Sequence, residues 1–104
     1  EIQDHSTKAF MDMYVEYMDN NLFDIFKKEH ELKIADALLL VFKNVDNLDL
    51  FNKKAVFLYI KEITDIRTSR HITKVIGMFG NIYNKLYIEY EKYGIIKTKK
   101  YKNV

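Results

Sequence analysis

Residues 64–81, TDIRTSRHITKVIGMFGN, decide the fold. A short polar break, TDIRT, leads into Thr68 and Ser69, either of which can cap a helix by accepting hydrogen bonds from the free amides of its first turn. Beyond the cap, Ile72, Val75, Ile76 and Phe79 recur at three- and four-residue steps, the period of a helix with one buried edge. The edge continues through Tyr83, Leu86 and Tyr90 to Gly94, where glycine can adopt the left-handed conformation that stops a helix. Lys92 falls in the last turn, where the helix dipole favours a cation. The opposite edge is Arg70, Thr73, Lys74, Gly77, Asn81, Asn84 and Lys85. It offers cations for phosphates, amides and hydroxyls for base edges, and a glycine where a nucleic-acid backbone must come close. Two readings of GMFG, residues 77–80, stand open. A glycine inside a helix costs about 1 kcal/mol relative to alanine. The pair therefore either breaks the helix in two or marks close packing against another helix.

Working outward, the same periodicity recurs three times upstream. Between Ser6 and Lys28, Phe10, Met13, Tyr14, Tyr17, Met18, Leu22, Ile25 and Phe26 form one apolar stripe. From Leu32 onward, Ala35, Leu38, Leu39, Phe42 and Val45 repeat it within the run ALLLVF. NVDNLDLFN, residues 44–52, reads as a connection, and Asn52 is a good cap for a helix that turns Val56, Tyr59, Ile60 and Ile63 inward. GIIKTKKYKNV, residues 94–104, ends the chain as a short strand or a basic tail. With 104 residues, no proline and three glycines, little interrupts helices. The expectation is one all-α domain over residues 1–104 with four to five helices. Its parts are a helix over 6–28, a core helix over 32–45, a helix-turn-helix pair over 53–93, and the tail from 94.

Charge is divided between the two halves. Residues 1–52 hold five lysines against eleven acidic residues, a net −6, whereas residues 53–104 hold twelve basic against four acidic, a net +8. Such asymmetry points to an anion-seeking C-terminal half and an acidic or self-associating N-terminal half. There is no cysteine, hence no disulfide framework and no thiolate chemistry. No signal-peptide pattern and no apolar run of membrane length is present, so an intracellular protein is expected, in cytoplasm or nucleoid or in a host cytoplasm. The wealth of Lys, Ile, Asn, Tyr and Phe fits an A+T-rich viral or bacterial genome. His5, His30 and His71 share no ligand spacing, and in KEHE, residues 28–31, consecutive side chains point to different faces. No glycine-rich phosphate loop follows a strand. The chain thus reads as no enzyme, with no catalytic or metal-binding residues, no cofactor and no small-molecule substrate.

TSRHITKVI, residues 68–76, resembles the start of the recognition helix in bacterial helix-turn-helix repressors. There a small hydroxyl residue opens the helix, a basic or polar pair follows, and an aliphatic side chain packs inward. The order of elements also resembles winged-helix regulators of the MarR and SarA type. Those place a dimer-forming helix, an apolar helix, the helix-turn-helix pair and a GII-K element opening a β-wing; here these are residues 6–28, 32–45, 53–92 and 94–102. The chain departs from that pattern at Asp65 and Ile66, where glycine then an aliphatic is usual, and in the length of its last helix.

The resemblance implies a sequence-recognising protein of double-stranded DNA, acting as a homodimer in transcription or replication control. Ser69, Arg70, Thr73, Lys74, Gly77, Asn81, Asn84 and Lys85 would then face DNA, with the tail cations Lys97, Lys99 and Lys100 on the phosphates. Tyr14, Tyr17, Met18 and Leu22 are the expected dimer contacts, since a stripe of eight apolar side chains exceeds what so small a domain needs for its core. Tyr83 and Tyr90 read as core, Tyr87 and Tyr101 as exposed among lysines. The alternative from the same residues is a helical interaction module or adaptor with no nucleic-acid role, its first helix docked on a partner protein.

Overall fold

A computed structural model describes residues 5–44 and 53–101, leaving the expected inward Val45 and the Asn52 cap outside the described residues. Among these residues the chain forms four helices and no strand: α1 (His5–Ile25), α2 (Glu29–Asn44), α3 (Lys53–Thr64) and α4 (Ser69–Tyr93). None of them is long and apolar enough to cross a membrane. The central element is α2, which packs on α1, α3 and α4, while α1 also packs on α4. Both α3 and α4 rest on α2 rather than along one another. Glu29 and Glu31 stand in the first turn of α2, where the positive end of the helix dipole favours carboxylates.

The core draws on every helix. Phe10, Tyr14 and Met18 of α1 meet Ile34, Leu38 and Leu39 of α2, Val56 and Ile60 of α3, and Ile72, Val75 and Phe79 of α4. Aromatic rings tie α1 to α4: Phe10 lies 5.1 Å from Tyr83, 5.1 Å from Tyr87 and 5.4 Å from Tyr90. The Tyr14 hydroxyl donates to the Phe79 carbonyl at 2.9 Å, which satisfies a phenol whose burial pushes its pKa far up.

This packing corrects the expected dimer contacts. Tyr14, Tyr17, Met18 and Leu22 are 1%, 8%, 0% and 6% exposed, so they fill the core of a single chain and present no surface to a second copy. The reason is that α1 packs on both α2 and α4, and the segment after α4 lies against its remaining side. Ile63, expected inward, is exposed instead, since α3 rests chiefly on α2 and buries a narrow edge.

Two further expectations change. The last helix runs unbroken through Gly77 and Gly80, and a Cβ added at either would meet nothing within 4 Å. GMFG is neither a break nor a close-packing site within the chain. Among its described residues, 94–101, the C-terminal segment forms no strand and is a basic tail packed against the helices. Gly94 stops α4 at φ 78°, its N–H donating to the Tyr90 carbonyl at 2.7 Å. The chain then turns back along α1 and α4 with Ile96 buried. Asn21, buried near the end of α1, clamps it: Nδ2 donates to the Lys99 carbonyl at 3.0 Å and Oδ1 accepts from the Tyr101 N–H at 2.8 Å. The Asn21 carboxamide thus satisfies one carbonyl and one N–H of the tail backbone.

Candidate nucleic-acid interface

The approach to α4 is set by the turn after α3. The Thr64 hydroxyl donates to the Ile60 carbonyl at 2.7 Å and accepts from the Ile66 N–H at 3.1 Å, closing the end of α3. Asp65 adopts φ 60°, in the left-handed region that favours glycine. A short polar side chain tolerates it better than most. Ile66 then packs against the core, while the Arg67–Asp65 pair, at 3.9 Å and exposed, adds little. Thr68 takes the N-cap position with extended backbone, and its carbonyl accepts from the His71 N–H at 3.1 Å. Its hydroxyl makes no cap bond, so the expected side-chain cap is replaced by backbone geometry.

In α4, Ile72, Val75, Phe79, Ile82 and Leu86 are buried. The structure places Ser69, Arg70, Thr73, Lys74, Gly77, Asn81, Asn84 and Lys85 together on the opposite, exposed face. Along the axis they separate into two groups, since Arg70 and Lys85 lie about 22 Å apart at 1.5 Å per residue.

The N-terminal group is tied to α2. Lys74 Nζ lies 2.8 Å from Glu31 Oε2, and the hydrogen bond holds the largely buried Glu31 carboxyl below the usual carboxylate range. The Lys74 charge is therefore already committed within the chain. The His71 ring lies 4.1 Å from that of His30, and partial burial, then His30 and Arg70, holds it below the usual imidazole range. Ser69, Arg70 and Thr73 point outward beside this seam.

The C-terminal group is flanked by the clamped tail. Asn81, Lys85 and Glu89 of α4, with Tyr17, Thr98 and Tyr101, line a cavity of about 330 Å³. The Glu89 carboxylate accepts from the Thr98 N–H at 3.2 Å and from its hydroxyl at 2.8 Å, fixing the tail alongside the helix. Lys99 and Lys100 are exposed on that segment, and the Lys97 ammonium sits 4.3 Å above the Tyr93 ring. Tyr101, expected exposed, is half-buried because Asn21 holds its amide; Tyr87 keeps 37% exposure while its ring edges onto Phe10.

Sequence reasoning missed three members of this surface. Ile88 is 64% exposed within the polar face of α4 and carries no polar signal. His30 meets His71 only through tertiary packing. Glu31 was readable: with Ile34, Ala35 and Leu38 it keeps the spacing of the buried stripe, and a carboxylate there demands a partner. Among the described residues no group of three or more His, Asp or Glu converges as a metal site. Comparison with protein-family models, with curated proteins and with solved structures gave no match.

Proposed function

We propose that this chain binds double-stranded DNA through the outer face of α4, as a small dimeric regulator of transcription or replication. The observation that carries the reading is the composition of that face. From Ser69 to Lys85 there is no Asp or Glu, and every exposed polar group is a cation, an amide or a hydroxyl. Ser69, Arg70 and Thr73, in the first turns, are the base-reading set, since that end of a recognition helix meets base edges. Lys85, Lys97, Lys99 and Lys100 take phosphates, and Gly77, with open space where a side chain would stand, admits the sugar-phosphate backbone. Lys74 contributes less than its charge suggests, because Glu31 already holds it. The turn that leads from α3 into α4 is short, with Asp65 at φ 60°. A two-fold dimer would set two α4 helices about 34 Å apart, in successive major grooves, with contacts drawn from exposed surface rather than from the α1 stripe.

The test is an anisotropy titration of labelled random duplex against salt. With about six phosphates contacted, log affinity falls with log salt at a slope near −5, and random duplex binds at roughly 10⁻⁴ to 10⁻⁶ M at physiological salt. Absence of binding even at low salt overturns the reading.

One observation favours a second reading, a protein-interaction module. Ile88, Tyr93 and Ile95 are 64%, 52% and 50% exposed near the end of α4. Ile88→Ser, which removes the apolar side chain without adding charge to the face, separates the two: it weakens a protein contact made there and leaves duplex affinity within about twofold, a change of some 0.4 kcal/mol.

A further inference from the structure

Two titratable pairs cross from α2 to the N-terminal end of α4. The rings of His30 and His71, both half-buried, lie with centroids 4.1 Å apart and planes tilted by 40°. One turn further along α4, Lys74 bonds Glu31 at 2.8 Å. Consecutive residues of α2 therefore meet residues three apart on α4. Among the described residues the charges acting on His71 are His30, Arg70, Glu31 and Lys28. Three of the four are basic, and the one carboxylate is already held by Lys74. A proton on His71 thus gains no free counter-charge, and protons on both rings set two cations face to face in a partly desolvated seam.

We propose that the His30–His71 pair is a proton-operated latch, which holds the first turns of α4 on α2 while the rings are neutral and releases them when both are protonated. The latch belongs to the free chain and does not rest on DNA binding. Its consequence for the proposed interface is positional, because Arg70 and Thr73 are carried on the turns it secures. The sign follows from the seam. His71 is held below the ordinary imidazole value of 6.5, so its contribution is complete above 6.5 and is lost as pH falls through the folded value. Glu31 is held below the ordinary carboxyl value of 4.5, so the Glu31–Lys74 pair stays charged in that window and keeps the release local.

The experiment is an NMR titration of the whole chain without DNA, on wild type, His30→Gln and His71→Gln. The His71 midpoint lies below 6.5 in wild type and moves up toward it in His30→Gln, each pH unit being a tenfold change in proton affinity. Amide protection over residues 71–74, corrected for intrinsic exchange, falls about tenfold between pH 7.5 and 5 in wild type and stays level in both variants. A wild-type His71 midpoint at or above 6.5, or protection that ignores pH, overturns the latch even if a variant fails to fold. A midpoint unmoved by His30→Gln in a folded variant overturns it too.

Discussion

The first and last helices, α1 and α4, run 21 and 25 residues and both carry a long stripe of large side chains, yet their outer faces differ in sign. Outside, α1 shows Asp12, Glu16, Asp19 and Asp24. The outer face of α4 has no acidic residue from Ser69 to Lys85. Their inner stripes end in one shared core, joined by Phe10 against Tyr83 and by the Tyr14 hydroxyl on the Phe79 carbonyl. An apolar stripe tells which face of a helix turns inward; it does not tell whether the covering surface is the same chain or another. What the helix can meet in solution is written on the other face, which carries carboxylates on α1 and none on α4 from Ser69 to Lys85.

The largest effect that tests this contrast is on α1. Replacing Tyr17 and Met18 together by lysine places two cations at positions 8% and 0% exposed. The cost should exceed about 4 kcal/mol and unfold the chain, as seen by circular dichroism and urea titration. A folded monomer with an unchanged melting curve would return α1 to the role of a dimer contact.

Smaller effects are expected on α4. Arg70→Ala and Thr73→Ala should each lose about 1–3 kcal/mol on the preferred duplex site and relax its sequence preference. Lys97→Ala and Lys100→Ala should weaken all sequences alike and reduce the salt slope by about one each. Stability should stay within about 0.5 kcal/mol throughout, because all four side chains are exposed. Identical behaviour of the two groups in binding isotherms would remove α4 from the reading role.

The clamp that holds the tail on α1 is of similar size. Asn21→Ala removes the bonds to the Tyr17 and Lys99 carbonyls and from the Tyr101 amide, and should cost about 1–3 kcal/mol. Limited proteolysis should then cut residues 95–101 much faster, and an unchanged digestion pattern would show that the tail is held by other contacts.

Gly77→Ala and Gly80→Ala should each stabilise the free chain by up to about 1 kcal/mol, since nothing stands in the way of the added carbon. A loss of stability in thermal melts would point to a contact that the isolated chain lacks. The least effect is expected from acid. The Lys74 partnership holds Glu31 below 4.5, so its contribution is complete above that pH and is lost as pH falls through the folded value. Lys74→Met should flatten that part of the stability–pH curve.

Periodicity made much of the fold legible. The inward edge of α4, its stop at Gly94 and the stripe of α1 all follow from local rules of spacing and capping, as does the outward set from Ser69 to Lys85. What was not legible depends on distance along the chain. Asn21 reaches the backbone of residues 78 and 80 positions away, and His30 meets His71 across two helices, so no local pattern announces either. The destination of the α1 stripe was hidden for the same reason, since amphipathicity is identical for a core and for an interface. Asp65 lay between these cases: the break was visible, but not that an aspartate would take a left-handed backbone angle there.

The most direct test of the role given to α4 is an NMR footprint of a random duplex on the labelled chain at low salt. The account predicts shift changes at Ser69, Arg70, Thr73, Gly77, Asn81 and Lys85 and along residues 97–100. The acidic face of α1, at Asp12, Glu16 and Phe23, should stay silent. Changes centred on α1, or none at all while duplex is in excess, would contradict it.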